Sequence, residues 1–210
     1  MLEERPGDTN REPSRVEQRR ARTRREILDA AWVLCHEQGL AALSLRELAG
    51  RVGMRAPSLY SYFDSKEAIY DAMFADGQRQ FAEAMQSVVE LPPTRRRLKT
   101  GTHRFAEFCT ADVARYQLMF QRTIPGFEPS AESYALAVEN LELAARHLRE
   151  AGVSEPRFLD LWTAISTGLV DQQISNDPGG DRWTRLIDEA VDLFCDHAGV
   201  PPDPPEGENP

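Results

Sequence analysis

The chain has 210 residues, 41% apolar and 28% charged, and a net charge of −9, a composition that fits a globular domain and gives disorder of the whole chain no support. No apolar run approaches the roughly 18 residues of a membrane span, and the polar start MLEERPGDTNREPSR does not read as a secretory signal. Cys35, Cys109 and Cys195 are odd in number and far apart, which speaks against a disulfide framework or a zinc cluster and makes a cytoplasmic location the expectation.

Residues 1–14 are polar and are read as a disordered arm. The segment RVEQRRARTRR at 15–25 then carries six arginines against one glutamate, in a first third that is net positive ahead of a strongly acidic remainder. Ile27, Leu28, Ala31, Leu34 and Cys35 keep the spacing of one helical face, and Gly39 ends that helix as a left-handed terminator. Ser44 followed by Glu47 reads as a capping box opening a second short helix, which Gly53 ends. Pro57 falls in the first turn of a third, where its missing N–H costs nothing. Asp64 or Ser65 caps a fourth helix through Ile69, Met73, Phe81 and Met85 to Val89, broken by LPP at 91–93. Further helical stretches fall at 94–110 and 112–122, with the option of one bent helix, and then at 131–151, 155–175 and 181–197. GVPPDPPEGENP at 199–210 reads as a disordered tail. The expected fold is all-α, about nine helices, divided into a small unit at 15–66 and a larger helical domain at 67–198.

Within LSLRELAGRVGMRAPSLYSYF, residues 43–63, Leu45, Leu48 and Val52 give the second helix one apolar face. Ala49 leaves room for a close crossing, Gly53 turns the chain, and Leu59 and Phe63 pack back. That is the layout of a helix-turn-helix, over about residues 45–64. The longer stretch 23–74, with REILDAA, GLAALS, AGRVGMRAPSLYSYF and the FDSKEAI junction, resembles the DNA-binding domain of the TetR/AcrR family of transcriptional regulators. The resemblance implies an N-terminal three-helix DNA-binding unit and a variable helical C-terminal domain. It also implies a homodimer on a palindromic operator, usually a repressor, released by a small ligand.

A recognition helix offers its N-terminal residues to base edges in the major groove. Here those are Arg55, Ala56, Pro57, Ser58, Ser61 and Tyr62. Arg55 can pair bidentately with guanine, and Ala56 and Pro57 can meet a thymine methyl. Tyr60 is placed for a phosphate, and Ser44 and Arg46 for phosphates on the other flank. Lys66 resembles the family lysine that meets the backbone. The arginines at 19, 20, 22, 24 and 25 add non-specific attraction, with the minor groove as one site for them. Tyr62 packing on the second helix and Ser44 as a plain cap stay open as blander readings.

Beyond residue 90 the resemblance weakens: RYQLMFQ and LWTAISTGLV look like counterparts of regulator helices, but Thr167-Gly168 stands where His-Gly is common. Candidate effector contacts are His103, Phe105, Phe108, Cys109 and Tyr116, with Phe120, Tyr134, Trp162 and Ser166; for each, plain core is the first reading. Their aromatic character points to an apolar or amphipathic effector. The last two helices are expected to form a dimer seam through Leu169 and Ile174 on one and Trp183, Leu186, Ile187, Ala190, Val191 and Phe194 on the other. Nothing reads as an enzyme, and neither a cofactor nor a metal is expected. The competing readings are a redox-sensing regulator using Cys109 and a helical dimer without DNA function.

Overall fold

The computed structural model describes residues 14–203, and every regular element among them is helical. The expected arm at 1–13 and the tail from 204 lie outside the described residues. The chain divides into two compact units, the first ending at Ile69 and the second beginning at Tyr70.

In the first unit, α1 (Arg15–Gln38) opens on a capping box. Ser14 Oγ accepts from the Glu17 amide at 3.3 Å, and the Glu17 carboxylate accepts from the Ser14 amide at 2.6 Å. Gly39, at φ +84°, closes the helix by donating to the Cys35 carbonyl at 2.8 Å. Its ψ of 159° sends the chain outward instead of into the left-handed cap that was expected. A single 3-10 turn, Leu40–Ala42, leads to α2 (Leu45–Arg51) and α3 (Ala56–Leu59). The expected capping box at Ser44 is absent, because its side chain makes no cap bond. Glu47 instead accepts from Gln38 at 2.8 Å and lies 3.8 Å from Arg51, which also clamps Glu37. The Gln38 amide on α1 and the Arg51 guanidinium on α2 together draw Glu47 away from the helix start. The core of this unit is Ile27, Ala31, Leu34, Leu48, Leu59 and Phe63, all buried. Each of the isoleucine, leucine and phenylalanine side chains stabilises the fold by roughly 1.5–3 kcal/mol before entropy is counted.

Ser65 accepts from the Ala68 amide at 3.1 Å and so caps α4 (Lys66–Val89). In the second unit follow α5 (Arg95–Ala111), α6 (Val113–Phe120), α7 (Ala131–Glu150), α8 (Pro156–Asn176) and α9 (Ile187–Ala198). The stretch from 94 to 122 is two helices. It breaks at Asp112, whose extended backbone lets its carboxylate accept from the Arg115 amide at 2.9 Å. The last helix begins later than expected. Gln173 Oε1 takes the amides of Trp183 and Thr184 at 2.8 and 3.2 Å and holds a 3-10 turn, Thr184–Leu186, ahead of α9.

Helix α5 packs against α8 and α9 around Leu98, Cys109, Phe158, Val170 and Phe194. This packing corrects the expected dimer seam. Ile187, Val191 and Phe194 are 0%, 1% and 2% exposed, and the Phe194 ring lies 4.9 Å from Trp162 and 5.9 Å from Phe158. Their stripe is used up inside the subunit, because α9 needs an apolar face to bind its own α5 and α8. Leu169 and Ile174 pack partly on the same core, and Trp183, Leu186 and Ala190 are half-buried. The α8 and α9 leucines left open are Leu161 and Leu193, 38% and 65% exposed. Residues 200–203, expected to belong to the disordered tail, are held against α5. Val200 is buried, Arg95 Nε donates to the carbonyls of Val200 and Pro201 at 3.0 and 3.1 Å, and the Arg96 amide donates to Asp203 at 2.8 Å.

Candidate nucleic-acid interface and cavity

The turn between α2 and α3 is a Schellman closure. The Met54 amide donates to Ala49 at 2.8 Å and the Gly53 amide to Gly50 at 3.2 Å, with Gly53 at φ +68°. Satisfying the last carbonyls of α2 in this way fixes the direction in which α3 leaves. Ala49 is 1% exposed, so the crossing leaves it no spare space.

Leu59 and Phe63 anchor α3, at 1% and 3% exposure. Arg55, Pro57, Ser58, Tyr60 and Ser61 are exposed, with Ala56 and Tyr62 half-buried. The short helix therefore spends one side on the core and leaves a nearly uncharged side open. Ser61 Oγ donates to the Ser58 carbonyl at 2.7 Å, which occupies its hydroxyl proton. Arg46 is exposed and Ser44 half-buried. Lys66 Nζ donates to the Ala41 carbonyl at 3.3 Å.

The arginine-rich segment is the start of α1. Arg22 pairs with Glu26 at 3.1 Å and Arg25 with Asp29 at 3.2 Å. Arg20 Nη2 donates to the Ser61 carbonyl at 2.6 Å, its guanidinium 5.6 Å from the Tyr62 ring centre. Arg24 donates to the Tyr62 carbonyl and stacks 4.1 Å from the centre of the Phe63 ring. One turn of α1 thus supplies two cations that satisfy the loose carbonyls just after α3. Sequence reasoning assigned these two arginines to DNA and missed the latch; their i, i+4 spacing opposite an aromatic pair was the available signal.

In the second unit a cavity of about 270 Å³ lies between α4, α5, α7 and α8. Phe105, Phe120, Tyr134, Trp162 and Ser166 line it, as expected. His103, Phe108, Cys109 and Tyr116 do not. His103 is on the surface, 2.8 Å from Asp188. Phe108 and Cys109 belong to the packed core, and the Tyr116 hydroxyl donates to Asp171 at 2.7 Å. Burial pushes the Cys109 thiol well above its usual range, leaving almost no reactive thiolate and no support for the redox reading. Thr167 lines the cavity in place of the more common histidine. Arg97, His147, Gln78 and Asn140 also line it and were not foreseen. Arg97 and His147 directly precede Leu98 and Leu148 in the sequence, and no local pattern singles them out.

Residues 27–73 match the family model of the bacterial regulatory proteins of the tetR family. The transcriptional activator FasR of Mycolicibacterium smegmatis is 31% identical over 174 residues, 80% of this chain and 75% of that protein. This chain belongs to the tetR family. It is a DNA-binding transcriptional regulator of the helix-turn-helix type. The transcriptional repressor KstR2 of Rhodococcus jostii is 33% identical over 98 residues, 45% of this chain and 48% of the repressor, so that match spans about half of the relative's length. A Rhodococcus protein of unknown function shares the fold, with a TM-score of 0.72 at 21% identity over 84% of this chain and 95% of its own. Among the described residues no helix is long and apolar enough to cross a membrane, and no group of side chains is arranged to hold a metal ion.

Proposed function

We propose that this tetR-family regulator is a homodimeric repressor that reads a palindromic operator through α3 and is released when a small apolar or amphipathic molecule fills the cavity of its second unit. The observation that carries the DNA side is the open face of α3, offered to solvent while Leu59 and Phe63 hold the helix from behind. Arg55 at its start takes a base edge, Ala56, Pro57, Ser58, Ser61 and Tyr62 read shape and methyl groups, and Tyr60, Lys66, Ser44 and Arg46 meet phosphates. The aromatic cavity supports the effector. Occlusion of the promoter by the bound dimer gives repression, and an effector that favours a conformer with mismatched half-site spacing relieves it.

Selection from random duplexes, followed by gel shift, tests this reading. The selected sites should be palindromic. Arg55→Ala should lose roughly 1–3 kcal/mol at one base pair per half-site, whereas Tyr60→Ala and Lys66→Ala should weaken every sequence alike. A uniform loss for Arg55→Ala would make it a phosphate contact. No duplex retained at low salt would leave only a helical dimer without DNA function.

A further inference from the structure

Buried polar atoms need partners, and two residues that line the cavity each carry a buried one that has none. Arg97 is 4% exposed and His147 6% exposed, both line the cavity, and Arg97 Nε and His147 Nε2 have no hydrogen-bond partner. A buried donor or acceptor left without a partner is destabilising. The rest of the polar lining is largely occupied. Asn140 Nδ2 donates to the backbone and side-chain oxygens of Gln78 at 3.0 and 2.8 Å, and Thr102 Oγ1 to the Leu98 carbonyl at 3.0 Å. Among the described residues no aspartate, glutamate or lysine lines the cavity, so Arg97 is its charged group. Arg97 Nη1 is 2.6 Å from Glu150, a carboxylate that is itself 42% exposed and absent from the lining. That pair leaves the Nε–H still to be matched.

One part of the wall is apolar, with Phe81, Phe105 and Phe120 in mutual edge-to-face contact at 5.5 to 6.0 Å and Met85, Met119 and Trp162 beside them. Tyr134, Val138 and Leu141 on α7 line the same space and are 57%, 50% and 47% exposed, which marks an apolar mouth.

We infer that the effector is an amphipathic anion, a carboxylate or chemically similar acidic head on an apolar body, with the head on Arg97 and His147 and the body among the phenylalanines. The inference rests on the ligand-responsive reading above and names its effector class. An acid head accepts from Arg97 Nε–H and meets His147 Nε2 as donor or acceptor, according to which partner holds the proton. The apolar body supplies the desolvation that makes such charge-assisted bonds strong. Burial, and then the Arg97 charge, push the His147 imidazole below its ordinary range, with Glu150 opposing.

The test uses the full chain with three ten-carbon probes kept below micelle-forming concentrations: decanoate, decanol and decylamine. Binding is read by calorimetry and thermal shift, and release by anisotropy of a labelled selected duplex. Decanoate should bind at least about tenfold more tightly than decanol and raise Tm, with decylamine weakest. Arg97→Met should remove the preference for the acid while keeping decanol binding. Glu150→Gln, which keeps Arg97 and removes the negative charge that competes for it, should strengthen decanoate and so controls for misfolding of the first variant. Equal binding of decanoate and decanol, or no binding of any probe, overturns the anionic head. If decanol binds equally and also releases the duplex, ligand response stands and only the head assignment falls. If decanoate binds through Arg97 but leaves the duplex bound, the site stands and effector control falls.

Discussion

Behind α3, the reach of two side chains decides how firmly the reading element is held. Arg24 donates to the Tyr62 carbonyl and covers the Phe63 ring, a combination that only a planar guanidinium makes. Arg24→Ala should lower stability by about 1–3 kcal/mol in urea unfolding and weaken operator binding without changing base preference. Arg24→Lys should recover only part, since an ammonium cannot stack and bond in the same plane. A change in base preference would mean that Arg24 touches DNA directly. His147 makes a prediction in pH. Burial first, and Arg97 second, hold its folded pKa below the ordinary 6.5, with Glu150 opposing and Arg146 adding to the depression. The unfolded chain therefore takes up the proton first. The stability tied to neutral His147 is present above pH 6.5 and is lost as pH falls from there toward the folded value. His147→Gln should flatten the stability–pH curve in that window, as measured by urea unfolding at a series of pH values; an unchanged slope would mean that the histidine is not buried neutral.

At the scale of elements, the turn that aims α3 depends on one positive φ. A Cβ at Gly53 would meet nothing within 4 Å, so a substitution there is a matter of backbone conformation alone. Gly53→Ala should cost about 1–2 kcal/mol and Gly53→Asn less, because asparagine tolerates the left-handed region. Thermal unfolding of the three proteins gives the ranking; equal stabilities would mean that the turn relaxes out of its Schellman geometry. Helices α5, α8 and α9 illustrate the opposite case, in which packing and not backbone governs. The apolar period along α9 is clear in the sequence, but which surface it seeks is a tertiary question, and α5 wins.

For the whole molecule, that outcome moves the proposed dimer seam to what remains outside. Leu193 and Leu161 are exposed next to the buried Phe194 and half-buried Trp162. Leu193→Glu should give a monomer in sedimentation at micromolar concentration with the unfolding of each subunit little changed. Phe194→Ala should instead cost about 3–5 kcal/mol of subunit stability. A Leu193→Glu protein that remains dimeric would place the seam elsewhere. The whole-molecule charge of −9 misleads in a similar way: the face argued to read DNA gains its use from where its few cations stand, not from the total.

Local signals carried the helices, their breaks and the helix-turn-helix into the sequence, because they act over three to five residues: helical spacing of Ile27, Ala31 and Leu34, a positive-φ glycine at 53, a cap at Ser65, a proline at 57. The open side of α3 was legible for the same reason, since four residues cannot bury more than one side. Side chains whose partners lie far along the chain were not legible. Arg20 and Arg24 read as DNA ligands until the fold brought Ser61 and Tyr62 beneath them. Ile187, Val191 and Phe194 read as an interface until α5 and α8 covered them. Arg97 and His147 read as ordinary helix residues until the same packing buried them with an atom each unmatched. The sequence alone determined a DNA-reading helical protein of this family. Tertiary structure decided which cations hold the reader, which apolar stripe is core, and which cavity-lining residues carry an unmatched polar atom, because long-range burial and pairing set the environment of a side chain and leave no periodic trace.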